Sequence, residues 1–589
     1  MKNFLKMTGA TIVGLFVFSI VAFMIATMTL SGMMAASQAA STVKKNSVLV
    51  LSLDGALTDH SSPSLRDELQ GNTAQTLEDI LTAIKLAKTD DKISGIYLEA
   101  GMFNASPAQV EEIYHALQDY KTSGKWLVAY GDAYNAFTYY LASAADKIYL
   151  HPQGSVDWHG MGAKIMYFKP LLDKVGIKAN VFKCGKYKSA TEPLISDHMS
   201  GPDREQTTRY ISGIWNQLVQ TVSKNRKISA DTLNAYADRY IGVEDTKNFQ
   251  KYHLVDGLLY PDQLKANIKK RLGLDKDDEI SQVSPSDLAS TENENKGKEI
   301  AVYYAEGEIV DAASPQSMFN GGSMIVGKDM AADLNDLADD DDVKAVVIRV
   351  NSPGGSSFAS DQIWHAIKEL RNHKPVVVSM GGYAASGGYY ISSPANYIVA
   401  EPTTLTGSIG VYGLMYDRSK LLTGKLGINA DYIQTNRNTI MGDDMAPLTL
   451  EQQSLIQSSV NHIYRVFKSR VSEGRHLSMD RVEQLAQGHV FLGMDAQKVK
   501  LVDALGGLDV AIAKAAKLAS LSEYHTVSYP GAEAMMDQMM DLFGSSTGSY
   551  LDAQLRTVLG EDYEAYMMMR RATMLSRYQA RLPYQLIIK

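Results

Sequence analysis

Cysteine is almost missing from this 589-residue chain: Cys184 stands alone. No disulfide can therefore form within one copy, and no cysteine-based metal cluster can be built. A basic excess is missing too. Lysine and arginine number 58 against 66 aspartates and glutamates, a net charge of −8, which argues against a general nucleic-acid binder. None of the twelve histidines belongs to an H-E-x-x-H arrangement, so the helical zinc-peptidase signature is absent. Hydrophobic residues make up 45% and charged residues 21%, close to globular averages, which excludes wholesale disorder and a polytopic membrane protein. The length is too great for one core and predicts about three or four units at roughly 150 residues each.

Long hydrophobic runs are also scarce, with one exception at the start. Lys2 and Lys6 precede an uncharged stretch from Met7 to Val43, whose apolar centre is Ala10 to Leu30. About 20 apolar residues span a bilayer as a helix, whereas a leader-peptide apolar region is shorter, about 7–15 residues. The expectation is an uncleaved single-pass anchor over residues 1–43. The rival is a cleaved leader processed near the small residues Met34 to Ala40. The preceding lysines place the N-terminus in the cytoplasm and everything from about Lys44 outside it.

Beyond this segment the chain reads as one unit used twice. Residues 127–150 and 377–400 align at an offset of 250, with Tyr139-Tyr140 meeting Tyr389-Tyr390 and Ala145 meeting Ala395. Ile93 to Leu98 meets Val343 to Ile348, residues 171–182 meet 421–433 with a one-residue slip, and Leu254-Val255-Asp256 meets Leu501-Val502-Asp503. A register kept through so many blocks indicates a tandem duplication. The predicted divisions are an anchor at 1–43, a first repeat at 44–274, a polar Ser-rich linker at 275–298, a second repeat at 299–530 and a helical tail at 531–589. In the second repeat Glu299–Tyr304, Ala345–Val350 and Val376–Ser379 read as strands and Ala359–Arg371 as a helix. This alternation predicts an α/β fold of βαβ units with largely parallel sheets. Functional groups then belong on loops beyond the carboxyl ends of the strands.

Two loops of the second repeat stand out. Asn351-Ser352-Pro353-Gly354-Gly355 can turn main-chain N–H groups outward together, an arrangement that binds oxyanions. The same composition also makes an ordinary turn. Gly381 to Tyr390 surrounds Ser386 with small residues, as in an elbow that exposes a nucleophilic hydroxyl at a helix start. The plain alternative is a serine capping a helix. Duplication separates the two readings, because the first repeat has Ala136 opposite Ser386 and Ala100 to Asn104 opposite the glycine turn. The scaffold survives without these loops, so they belong to chemistry.

A serine nucleophile needs a proton acceptor. Neither loop holds a histidine, and His365 and His373 read as surface residues. A desolvated lysine can serve instead. Lys188, within Lys186 to Pro193, is the candidate by context, although the residues by themselves do not choose it among the lysines. Here a resemblance adds to the reading. The runs GGYAASGGYYISSPANYIVAEPTTLTGSIGVYG, RVNSPGG, YKSATEP and QGHVFLG resemble the signal peptide peptidase A family in its long, duplicated form. The likeness spans nearly the whole chain and thins after about Tyr529.

That resemblance implies the fold shared by Clp protease and the crotonases, and a membrane-anchored serine endopeptidase of the bacterial inner membrane with its catalytic part on the periplasmic side. It implies Ser386 as nucleophile, Lys188 as general base and Ser408 as the group that orients the lysine. Backbone N–H groups of Gly354 or Gly355, with Gly387, would form the oxyanion hole. It implies no cofactor and no metal, with cleaved signal peptides and other short hydrophobic peptides as substrates, and a ring-like homo-oligomer, a tetramer. Short members of the family carry the lysine in the same repeat as the serine. Here the matching stretch, Asn436 to Thr439, has none, so the dyad is expected to be split between repeats.

Cys184 lies four positions before Lys188 but reads as a small buried hydrophobe rather than a nucleophile. The methionines at 535, 536, 539, 540, 567, 568, 569 and 574 read as adaptable packing on amphipathic helices or between subunits, with a membrane or hydrophobic-peptide surface as the alternative. Two other functions compete: a crotonase-like acyl-CoA enzyme, and a non-catalytic membrane assembly scaffold. An outward location disfavours the first, and retention of Ser386, Lys188 and the glycine pairs disfavours the second.

Overall fold

The computed structural model describes Gly14 and residues 43–60, 75–292, 296–312, 323–531 and 578–581. The expected anchor and the methionine-rich stretch lie outside the described residues. Among those described, no helix is long and apolar enough to cross a membrane.

The first repeat is built on parallel strands β1 (Ser47–Ala56), β2 (Ile93–Asn104), β3 (Trp126–Tyr134) and β4 (Lys147–Val156). Strand β5 (Lys178–Lys183) leaves this sheet, while β6 (Gly257–Leu258) pairs with β4 and β7 (Gln282–Val283) with β1. Helices α1 (Leu77–Thr89), α2 (Pro107–Lys121) and α3 (Ala136–Ala142) follow β1, β2 and β3 in turn. The sequence starts α2 sharply: Ser106 and Gln109 form a reciprocal capping box, and Pro107 occupies a first-turn position where its missing N–H has no helical partner anyway.

The second repeat repeats the plan with β8 (Lys298–Glu306), β11 (Val343–Ser352), β13 (Val376–Ala385) and β14 (Tyr397–Ala400). The run Val343–Val350 is buried on both faces apart from Lys344, as a continuous apolar strand of a covered parallel sheet requires. Helices α4 (Gly327–Asp339), α5 (Ser357–His373) and α6 (Gly387–Ser392) match α1, α2 and α3. The likeness extends to single hydrogen bonds. Tyr139 donates to the Leu254 carbonyl at 2.7 Å and Tyr389 to that of Leu501 at 3.0 Å. Asp256 accepts from the Ile148 N–H and Asp503 from the Ile398 N–H, both at 2.8 Å.

The structure adds detail at two of the expected divisions. The 275–298 stretch is no free linker: β7 joins the first sheet, and a short helix at Pro285–Ala289 buries Leu288 against it, because Val283 and Leu288 supply an apolar edge amid the polar residues. Most of the tail expected to be helical lies outside the described residues; within it Tyr578–Arg581 form strand β20. Its backbone is satisfied by open strand edges on both sides, which a helix cannot provide. These edges belong to a third sheet, ordered β10 (Met324–Val326), β9 (Glu308–Val310), β12 (Gly354–Ser356), β20, β16 (Tyr412–Asp417) and β5. Strand β5 thus carries the first repeat into a sheet otherwise made by the second and the tail.

A buried ionic cluster joins the repeats a second time. The Arg349 guanidinium donates to Asp59 at 2.9 and 3.3 Å, to Glu112 at 2.5 Å and to the Ser379 hydroxyl at 3.0 Å. Glu111, the neighbour of Glu112, accepts from the Thr403 N–H and hydroxyl at 3.1 and 2.6 Å. Burial, and then the carboxylate of Glu401 nearby, push Glu111 up to about 8.

Removing the arginine strands Asp59 and Glu112 in a dry seam. Arg349→Met should therefore lower unfolding free energy by about 3–5 kcal/mol, read by chemical denaturation. Glu111 holds its proton more tightly folded than unfolded, so its stabilising contribution is complete below about pH 4.5 and is lost as pH rises toward 8. The denaturation midpoint should fall between about pH 5 and about pH 8.5, and fall less in Glu111→Gln, which keeps an acceptor for Thr403. An equal fall in the variant would show that Glu111 does not carry the dependence.

Candidate active site

The site forms where β13 ends and α6 begins. At this junction the first repeat has an ordinary helix start: Asn135 accepts from the N–H groups of Phe137 and Thr138, and Thr138 closes the capping box. The second repeat has Ser386 at φ 55°, ψ −112°, and its side chain caps nothing. Such a backbone costs a non-glycine residue about 1–3 kcal/mol and persists only where its surroundings enforce it. The Ser386 N–H is tied to the Gly407 carbonyl at 2.8 Å, and the hydroxyl is turned toward a lysine.

That lysine is Lys188, the sequence candidate. Five residues past β5, its amine lies 2.7 Å from the Ser386 hydroxyl, 3.1 Å from the Ser408 hydroxyl and 3.2 Å from the Ser408 carbonyl oxygen. Its loop is held by the second repeat, since the Tyr187 N–H donates to the Gln487 carbonyl at 2.9 Å. On the other side Gln206 donates to the Tyr187 carbonyl and the Ser189 hydroxyl, both at 3.1 Å, and Ser189 donates to buried Asp203 at 2.6 Å. Residues 487–489, within the QGHVFLG run, also hold Ser408, whose N–H donates to the His489 carbonyl at 2.7 Å.

Lys188 and Ser386 are both fully buried. None of the amine's three oxygen partners is a carboxylate, so nothing offsets the desolvation of an ammonium, and burial holds Lys188 well below the ordinary lysine range. A neutral amine 2.7 Å from a hydroxyl is placed to take its proton. Gly354, at φ +95°, brings β12 beside the serine: a Cβ on it would stand 2.6 Å from the Gly387 nitrogen and 3.0 Å from the Ala385 carbonyl oxygen. The remaining sequence candidates sort cleanly. Gly355 lies in β12, paired with β9 and β20. His365 and His373 are exposed. Cys184 is half-buried, donates to Asn461 at 3.1 Å, and its thiol is pushed up by burial, away from the thiolate. The second repeat's Arg437, opposite the lysine loop, faces solvent and pairs with Glu451. Among the described residues, no group of acidic, histidine or cysteine side chains is placed to hold a metal ion.

A family model described as peptidase family S49 matches residues 119–275 and 368–522, together more than half of the chain. This chain belongs to peptidase family S49. The two matched segments fall in the two repeats, so the S49 unit itself is duplicated. A Clp protease family model matches residues 323–400, across both glycine-rich loops. The chain is 37% identical to Protease 4 of Salmonella typhi over 87% of this chain and 84% of that one. It is 36% identical to Protease 4 of Haemophilus influenzae, over 84% and 83%, and 31% identical to the chloroplastic serine protease SPPA of Arabidopsis thaliana, over 81% and 70%. As an S49 member this chain is a serine-type peptidase acting on peptide substrates. The acyl-CoA and scaffold alternatives give way to that assignment.

Arg349 and the carboxylates facing it, the β5–β16 pairing and the tail strand escaped sequence reasoning. For Arg349 the available signal is a lone charge inside the strand run Ala345 to Val350. In this S49 peptidase Gly488, at φ +76°, backs the lysine's main chain directly: a Cβ there would lie 2.7 Å from both the Lys188 backbone nitrogen and its Cβ. Gly488→Ala should displace the lysine and lower kcat by about 10–100-fold with little change in KM. Steady-state kinetics on a fluorogenic peptide, beside a circular dichroism spectrum, checks this; wild-type kcat would contradict it.

Proposed function

We propose that this chain is a membrane-anchored endopeptidase using a Ser-Lys dyad split between its repeats, with Ser386 as nucleophile and Lys188 as general base. The single observation carrying this reading is the 2.7 Å contact between a buried, counter-ion-free lysine and the strained serine. Neutral Lys188 takes the Ser386 proton as the hydroxyl attacks a peptide carbonyl. Ser408, with one hydroxyl and one carbonyl contact to the amine, aims its lone pair at the serine. Backbone N–H groups of Gly354 or Gly355 and of Gly387 receive the developing oxyanion. The Lys188 ammonium protonates the leaving amine, and water then releases the acyl-enzyme by the same route.

The apolar run Ala10–Leu30 behind Lys2 and Lys6 supports a single-pass anchor in the bacterial inner membrane, with the peptidase on the periplasmic side. Signal peptides left after export, and other short hydrophobic peptides, are the substrates this location and family favour. A homo-oligomer, a tetramer, is the assembly we infer from the same likeness.

Ser386→Ala and Lys188→Ala should each lower cleavage of a short hydrophobic peptide at least about a thousandfold while leaving thermal unfolding near wild type. A Lys188→Ala enzyme with normal turnover would contradict the dyad.

A further inference from the structure

Gln206 is a buried amide of the first repeat, on the helix Gly201–Arg226. A side-chain amide taken out of water must find partners for its N–H groups and for its oxygen. Here the partners lie on two different segments. Nε2 donates to the Tyr187 carbonyl and the Ser189 hydroxyl, both at 3.1 Å, and to Asp203 at 3.0 Å. Oε1 accepts from the Val490 N–H at 3.3 Å. Tyr187 and Ser189 flank Lys188, whereas Val490 belongs to the second repeat.

Val490 leads directly to both serines. Its short strand, Val490–Leu492, runs antiparallel to Leu405–Gly407, with Val490 opposite Gly407. The Gly407 carbonyl accepts from the Ser386 N–H at 2.8 Å, and the carbonyl of His489, the neighbour of Val490, accepts from the Ser408 N–H at 2.7 Å. The two hydroxyls that meet the lysine amine therefore hang from the ladder that Gln206 grips. Lys183 donates to the Lys188 carbonyl at 3.4 Å and Asp203 accepts from Ser189 at 2.6 Å, so these two charged groups bond the frame of the loop and leave the amine to the serines.

The duplication shows that the helix does not need this amide to fold. The helices Gly201–Arg226 and Leu450–Arg475 are each 26 residues long, start from the caps Ser200 and Thr449 and end at left-handed Lys227 and His476. Counting from the caps, the position matching Gln206 is Leu455, which is 47% exposed. The amide is present only in the repeat that supplies the lysine.

We propose that Gln206 is a positioning residue for the dyad: it fixes the distance between the Lys188 loop and the ladder carrying Ser386 and Ser408, and so keeps the amine pressed against both hydroxyls. This rests on Ser386 and Lys188 acting as described under the proposed function. Without the amide, the Val490 N–H and the Tyr187 carbonyl lose their shared partner, the loop draws back and water reaches the amine. Hydration favours the ammonium, so the base moves toward the ordinary lysine range as the rate falls.

Steady-state kinetics on a fluorogenic peptide, and the pH dependence of labelling by a serine-directed phosphonate, test this on the full chain as wild type, Gln206→Met and Gln206→Asn. Gln206→Met keeps the length but bonds neither side, and Gln206→Asn keeps the amide but is one carbon too short to bridge. In both, kcat should fall about 10–100-fold with KM within about twofold of wild type, and the labelling inflection should move up by about one pH unit. Wild-type kcat and inflection in either folded variant overturn the assignment and leave the dyad standing. A lower kcat with an unmoved inflection, or loss of folding in both variants, makes Gln206 a structural residue only and likewise overturns it. A wild-type inflection that persists in Lys188→Met overturns the dyad and this assignment together.

Discussion

An amine buried without a counter-charge is the constraint around which this molecule is organised. Water would hold Lys188 as an ammonium, and a nearby carboxylate would do the same. The fold supplies neither. It surrounds the amine with two serine oxygens and one carbonyl oxygen and seals the pocket with residues 487–489. A lysine loop from one repeat must therefore be pressed into the other repeat closely enough to exclude solvent. Two devices do this: the third sheet, in which β5 runs along β16 from Lys178 to Lys183, and the Arg349 cluster, which ties the repeats through buried charge. Neither the β5–β16 pairing nor the Arg349 cluster bonds the Lys188 amine, yet without them the lysine would be an ordinary cation.

Duplication explains how such a site arises. A pair of identical units holds each functional loop twice, and each copy is then free to lose what the other keeps. The first repeat has relaxed its elbow into the Asn135–Thr138 capping box, a stable helix start with no exposed nucleophile. The second has kept the strained serine, and its counterpart of the lysine loop has become the solvent-facing stretch around Arg437. Shared hydrogen bonds such as Tyr139 to Leu254 and Tyr389 to Leu501 persist in both because they serve the fold.

Much of this was legible in the order of residues. The 250-residue register, the β-branched runs and the small residues around Ser386 announce two parallel-sheet units and an elbow, since strand period and turn chemistry are local properties. Lys188 was legible only through likeness to a family, because no local pattern says which lysine a fold will bury 198 positions away from its serine. The Arg349 cluster lay deeper still: its carboxylates sit at positions 59 and 112, and only the packed seam brings them to one guanidinium. Strand β20 could not be foreseen from Tyr578–Arg581, which contain a single strand former, Tyr578.

The proposed dyad depends on the protonation state of Lys188. A serine-directed phosphonate reacts with Ser386 only as fast as its proton is taken, so the pH dependence of that reaction reports the base. We expect the rate to rise with pH through an inflection well below the ordinary lysine range and then level off, with no such inflection in Lys188→Met. A rate that climbs only where a free lysine deprotonates, or an unchanged profile in Lys188→Met, would contradict it.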